Sequence, residues 1–599
     1  MTQDVKKKKK LNLTTIVVII VVAVFALMIL NVAREMDFKA LEIQKFAKDS
    51  DKIKRTDLSA PIYSADSGFY PEEFMLTLTG DAGNTIYYTL DGSDPACSPM
   101  TKKYKEPLRI YDNSVDRNVF SARTDIALGI VIPPKENVDK AMIVRAVQKD
   151  SKGNYGETVT KCYFVGKTKS VFSDFRIISL VTNPYNLFDK DTGIYVCGNA
   201  YMKWRRSKDF NPLLENWNTK NPTNYNNSGP EWERPAEVFI YENGEQVFAQ
   251  KVGIRLAGNV SRSNAQKSIR LYAREEYGDS KLRYKFFDDL RDADGKKIKK
   301  FDKITLRNGG NDTNNSNLRD EIVQELVKDR AISTQAESLS LLYIDGEYWG
   351  TYHIKERLED YYFQSHYNIP KETISIVKNS EFQGEEKTWR IYQNFYDWAY
   401  AADMTDPENY NKFWEKFDMQ SFMDYFAVET YINNSDWLRK SVNNCMMWRT
   451  EVPIEGNPYA DGKWRFALFD TEFSANLYGN YETSEEYNLL GNLYTVRKWS
   501  NLAPVFYNLM NNDEFRKAFH DNYVEIVETC FEPGHVSMVI DDYADRYGEA
   551  IAMGLNRYLN SGENTSKFDR ELKDVRKFYE NRPEYALQYL EELCKQYEK

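Results

Sequence analysis

Histidine is nearly missing from this chain: 599 residues carry four, and none sits at the HExxH spacing that puts two imidazoles on one helix face. That argues against both a histidine-built metal centre and a Ser-His-Asp hydrolase. Cysteine is scarce as well. Cys97, Cys162, Cys197, Cys445, Cys530 and Cys594 are scattered with no CxxC pair, so zinc and iron–sulfur spacing is absent. Their even number permits disulfides, but the spacing does not pair them. Excess positive charge is also lacking. The net charge is −10 with both signs interspersed, which argues against a nucleic-acid partner.

One long apolar run is present, at the N-terminus. "KKKKK" at 6–10 precedes "LNLTTIVVIIVVAVFALMILNVA", with no charge until Arg34. Roughly 20 apolar residues suffice to span a bilayer. The lysines are expected to stay inside. The reading is a cytoplasmic tail at 1–10, a transmembrane helix at 11–33 and a charged stalk at 34–59, with the remainder outside the cell membrane. A cleaved signal peptide is the rival reading, although no small-x-small site precedes Arg34.

The length calls for two or more domains, and 42% hydrophobic content supplies their cores. From residue 60 the pattern turns to β. "PEEFMLTLTGDAGNTIYYTLDGSDP" and "AMIVRAVQKDSKGNYGETVTKCYFVG" alternate around Gly and Asp turns. They predict a small β-sandwich at 60–166. "IYYTLDGSDP" (86–95) and "IVRAVQKDSKGNYGE" (143–157) resemble the small β-sandwich appended to chitobiase-type glycosidases. The resemblance implies a non-catalytic module that folds on its own and serves as a spacer or as a contact to wall or carbohydrate. Asp91-Gly92-Ser93-Asp94 reads as a hairpin turn, with cation binding as the alternative.

The stretch "WRFALFDTEFSAN" (464–476) ends an apolar strand in Asp470, with Glu472 two residues on. Such a carboxylate is either a metal ligand at the edge of a core or a surface turn. "QKSIRLYA" alternates like a strand and carries Lys267. "NLRDEIVQELVKD" places apolar residues at 318, 322, 323, 326 and 327, an amphipathic helix with Asn317 as its cap. It offers the acidic residues Asp320, Glu321 and Glu325. The "RNGGND" before it is a tight loop or a phosphate cradle. Asp345-Gly346 reads as a hairpin turn. Aromatic helices fill 383–432. In "NNSDWLRKSVNNCMMWR", Asp436 sits in a break and is followed by Asn443 and Asn444. Residues 500–599 read as helices.

Six stretches in one order, "LVTNPYNLFDKDTGIYVCGNAY", "EWERPAEVFIYE", "GIRLAGNVSRSNAQKSIRLYAREEYG", "LRNGGNDTNNSNLRDEIVQELV", "YIDGEYWGTYHIKERLEDYYFQSHYNI" and "WRFALFDTEFSAN", resemble successive motifs of the CotH family, the spore-coat-type atypical secreted protein kinases. The resemblance implies an α+β, divergent protein-kinase-like two-lobe domain over 167–599 that uses ATP with Mg²⁺ or Mn²⁺. It implies Lys267 at the phosphates, paired with Glu321 or Glu325; Asp436 at the acceptor hydroxyl; and Asp470 with Asn443 or Asn444 at the metal. Glu472 stands where members commonly show a second Asp, and the resemblance implies that its longer side chain also serves the metal, directly or through water. No Gly follows, so the Asp-Phe-Gly triplet is absent. The expected function is a membrane-anchored extracytoplasmic kinase acting on Ser or Thr of surface or coat proteins. A surface adhesion or wall-binding scaffold with a degenerate kinase fold is the alternative, because ATP is scarce outside cells. A two-carboxylate glycosidase rests only on the β-module.

Overall fold

The computed structural model describes residues 53, 55–128, 131–166, 175–211, 220–379, 381–439, 443–496, 502–562 and 565–598. The expected tail, membrane helix and nearly all of the stalk lie outside the described residues. Among the described residues, no helix is long and apolar enough to cross a membrane.

Seven strands close into a barrel. They are β1 (Arg176–Val181), β2 (Arg234–Glu242), β3 (Glu245–Leu256), β4 (Ile269–Tyr272), β5 (Lys303–Arg307), β6 (Glu337–Ile344) and β7 (Glu347–Lys355). The pairing runs β1-β2-β3-β4-β5-β7-β6 and returns to β1, antiparallel except at β1–β6. Each strand pairs with two barrel neighbours, and the start of β3, which runs past β4, is left to pair outside the barrel. Period-two alternation sends Ile178, Val238, Ile254, Leu271, Leu306 and Ile354 inward to one buried core. The β6–β7 turn is Asp345-Gly346, with φ of 46° and 89°. Two positive φ values make the type I′ turn whose twist matches the strands.

Between β5 and β6 the chain leaves the barrel to form α1 (Arg319–Leu326). Its apolar residues Ile322, Val323 and Leu326 join the main core of the C-terminal half. Its acidic side turns toward β7. The expected cap Asn317 does not cap it. Asp312 accepts from the amides of Leu318 (3.0 Å) and Arg319 (3.1 Å) instead. Asn317 has φ of 56°, and its carbonyl accepts from His353. A left-handed residue there turns its side chain away from the first helical amides.

The C-terminal half is helical and aromatic. It contains α2 (Met419–Tyr431), a small sheet with β8 (Ile374–Lys378), β9 (Met446–Thr450) and β10 (Arg465–Ala467), and the long helices α3 (Pro533–Leu559) and α4 (Ser566–Tyr597). Helix α3 reaches over β7. Tyr558 donates to the Trp349 carbonyl (2.5 Å), and Tyr543 to that of Glu321 (3.4 Å). β7 is therefore buried on both faces.

The β-rich module before the barrel is not a free spacer. Its strand Gly68–Tyr70 pairs with the start of β3, extending the barrel sheet. Ile143, Cys162 and Phe164 share a core with Ile177, Tyr241 and Leu341 of the barrel. Glu347 accepts from the amides of Val119 and Ser121, both at 2.7 Å. Asp91-Gly92-Ser93-Asp94 is a turn docked on the barrel: Arg145 donates to the Gly92 carbonyl (2.7 Å) and pairs with Glu237 (2.8 Å).

Candidate active site

Strand alternation decides which side chains of the barrel face outward and which inward. Along one row the register joins Arg255 to Arg270, Arg270 to Thr305 and Thr305 to Lys355. Lys267 has the opposite parity and points inward. Its Nζ donates to the carbonyls of Arg262 and Asn264, each at 2.6 Å, and lies 4.0 Å from the Tyr225 ring centroid. Burial lowers its pKa to about 7. The expected pairing of Lys267 with a helix glutamate is therefore not made. Period two carries the lysine to the interior face while α1 packs outside.

Lys355, at the end of β7, takes that place. Its Nζ contacts Asp320 and lies 2.9 Å from Glu321. All three side chains are buried. Burial pushes the lysine down, but the two carboxylates outweigh it and hold its pKa above the ordinary value. Asp320 also accepts from the Thr471 amide (3.1 Å) and hydroxyl (2.7 Å). Helix α1 thus connects β7 to the segment after Asp470. Glu325 points elsewhere and pairs with Lys328 at the surface (2.6 Å).

Arg307, the last residue of β5, was not anticipated. Its guanidinium bridges Asp470 (2.7 Å) and Glu472 (2.9 Å). The Asp470 side chain is 37% exposed and the Glu472 side chain 6%. Glu472 also accepts from the Asn311 amide at 3.2 Å. Burial pushes its carboxyl up, Arg307 pulls it back, and the nearby Asp470 and Asp320 add to the rise, to about 8. The glycine pair has a steric purpose. A Cβ on Gly310 would overlap the Glu472 carboxylate, and one on Gly309 the Asn317 side chain. Both glycines also have positive φ, 94° and 60°. The loop therefore approaches the carboxylate with backbone alone.

Across from this wall lies the Asp436 loop. Asn444 Nδ2 donates to the Asp436 carboxylate (3.2 Å), and Asn443 Nδ2 to its backbone carbonyl (3.0 Å). Burial and the charge of Asp470 raise the Asp436 pKa. The two carboxylates are thus within electrostatic reach of each other. Positive φ clusters here, at Asn433 (52°), Leu438 (53°), Asn444 (50°) and Asp470 (55°). A buried leucine in that region is an outlier for a bulky side chain. Each such residue costs on the order of 1–3 kcal/mol and persists where surrounding structure over-determines it, as at functional sites.

The donor set suits a divalent cation. Among the described residues no three carboxylate, histidine or cysteine side chains converge as a closed metal cage. Mg²⁺ does not need one, because it takes one or two carboxylates and completes its shell with water and phosphate oxygens. Asp470, half open beside Asp436, fits that requirement. Arg307 pairs with both Asp470 and Glu472, and the two differ in exposure, 37% against 6%.

A lysine–glutamate pair from strand to helix and two aspartates on adjoining loops are parts that a kinase-like phosphotransferase uses. The family described as CotH kinase protein matches residues 254–586, more than half of the chain. The chain belongs to the CotH kinase family. The family described as Fn3 associated matches residues 74–163, within the N-terminal β-sandwich module. No curated protein matches the chain.

Proposed function

We propose that the chain is a membrane-anchored protein kinase whose catalytic part lies outside the cytoplasm and moves the ATP γ-phosphate to Ser or Thr of surface or coat proteins. The observation that carries this reading is the pair Asp436 and Asp470 on adjoining loops, which the Asn434 amide links at the Asp470 carbonyl (3.5 Å); the first is held by two asparagine amides and the second, paired with Arg307, is 37% exposed. Asp436 orients the acceptor hydroxyl and takes its proton. Asp470 provides the carboxylate for a divalent ion, Mg²⁺ or Mn²⁺, with Asn443 and Asn444 fixing the loop opposite. When bound, such an ion neutralises charge on the phosphate oxygens. Lys355 and Arg307 hold the carboxylates of this wall in register. The module at 60–166 offers a surface for wall or carbohydrate contact.

The two aspartates should fail differently. Asp470→Ala should abolish transfer and weaken metal-dependent ATP binding. Asp436→Ala should keep nucleotide binding while transfer drops by roughly 10²-fold or more. Calorimetric titration with ATP and Mg²⁺ beside a radiolabel transfer assay reads both. An Asp470→Ala protein that binds and transfers like the parent overturns the assignment. The "KKKKK" and apolar run support the topology. Protease added to intact cells should digest the 60–599 portion, and full protection would overturn it.

A further inference from the structure

The outward row of the barrel contains a charge imbalance that the proposed chemistry does not use. Arg255, Arg262 and Arg270 line a small cavity of about 70 Å³ beside Tyr272 and Trp232. Arg255 has a carboxylate partner, Glu233, at 2.7 Å, but Glu233 also pairs with Arg274 at 2.7 Å. Arg262 and Arg270 have no carboxylate partner among the described residues. Among the described residues, Arg262 reaches only the carbonyls of Asn226 and Asn227 (3.3 Å each), and Arg270 only the Tyr272 hydroxyl (3.2 Å). The Nε of each is buried with no acceptor among the described residues. Glu359, a carboxylate whose charge Arg270 feels, is engaged by Lys303 (2.9 Å) and Arg357 (3.0 Å).

Desolvated like charges without a counter-ion are unfavourable. Their effect is visible on the neighbours. Burial and then Arg270 lower the Arg262 pKa. Burial would raise the Tyr272 phenol, yet Arg270, Arg357 and Arg255 pull it below its ordinary value. Guanidinium forks bind tetrahedral oxyanions through paired N–H groups. The cavity is far below the roughly 300–1,000 Å³ of a whole small-molecule site. It has room for one charged group and not for a nucleotide.

We propose that the Arg262–Arg270 pocket binds a single phosphate group, separate from the Asp470 carboxylate. The group can be carried by the nucleotide or by an already phosphorylated residue of the acceptor; the recognising chemistry is the same. The identity of the carrier rests on the kinase reading, whereas phosphate binding by the two arginines does not, so the two failures are distinguishable.

The test uses the full-length protein with EDTA present, so that metal-held nucleotide does not contribute. Inorganic phosphate is titrated by calorimetry and by thermal shift. The parent should bind saturably and melt higher with phosphate. Arg270→Gln should weaken phosphate binding at least tenfold, and Asp470→Asn should not. Without phosphate, Arg270→Gln should melt no lower than the parent, because it removes a repelling charge; a merely structural arginine would lower the melting point. Should Arg270→Gln fail to fold, Arg262→Gln on the loop before β4 carries the same expectation. ADP that displaces inorganic phosphate assigns the nucleotide as the source. Phosphoserine that displaces it while ADP does not assigns the acceptor. No saturable phosphate binding, or equal binding by the parent and both arginine variants, overturns the proposal.

Discussion

Lys355 shows how much one buried side chain organises at this site. It neutralises two carboxylates of α1, and one of these, Asp320, in turn fixes Thr471 next to Asp470. Removing one member of a buried ion pair leaves an uncompensated charge and costs about 3–5 kcal/mol. Lys355→Met should therefore destabilise by about that amount, read by chemical denaturation, and should impair transfer through misplacement of Asp470. Asp320 adds a pH signature. Burial opposes its charge, but Lys355 and Arg307 hold its pKa well below the usual carboxylate range. Its contribution is complete above the unfolded value of about 3.9 and is lost as pH falls further. Acid unfolding of the parent should show this stabilisation disappearing below about pH 4, and the Lys355→Met profile should be flatter there.

At the level of elements, the loop between β3 and β4 is tied down from inside the barrel. Lys267 bonds the carbonyls of Arg262 and Asn264 while its amine is pushed toward neutrality, to about 7. The unfolded value is about 10.4, so between roughly pH 7 and 10 the unfolded chain binds a proton that the folded chain does not. Stability from this group therefore rises with pH across that window, by at most about 1.4 kcal/mol per pH unit. Thermal melts from pH 7 to 9 should show a steeper rise for the parent than for Lys267→Gln. Equal slopes would mean that the amine stays charged. The element scale is also where residue patterns were most legible. The Asp345-Gly346 turn, the amphipathic α1 and the aromatic helices of 383–432 follow from local periodicity and turn chemistry. The cap of α1 did not, because Asp312 reaches the helix from a separate short turn upstream.

At the scale of the whole molecule, the N-terminal module, the barrel and α3 are packed together. Phe164 and Ile143 belong to a core completed by barrel residues and Ala550. A fully buried side chain of that size stabilises by about 1.5–3 kcal/mol. A chain truncated to 175–599 should expose that core. It should aggregate or melt well below the parent, as judged by size-exclusion chromatography and thermal scanning. A soluble truncated chain with an unchanged melting point would mean that the interface contributes nothing. Arg557 of α3 adds a polar tie, donating to the Ser121 carbonyl (3.0 Å). The same helix lies over β7, close to the α1 glutamates, so disturbance of the module reaches the strand that carries Lys355.

The order of parts is legible along the chain: an apolar N-terminal run, a β-rich module, alternating strands, an acidic helix, a polar break with Asp436 and a strand ending in Asp470. Those features are local, and periodicity, turn residues and charge express them within a few residues. Which cation meets which carboxylate follows from the packed fold instead. Lys267 and Lys355 both lie at the ends of strand-like runs, and their parity relative to the closed barrel sends one inward and the other to α1. Arg307 meets Asp470 and Glu472 across more than 160 residues of chain, a contact that barrel closure and the packing of α1 create. No spacing along the chain encodes it, because pairing partners are selected by register and by which face is buried.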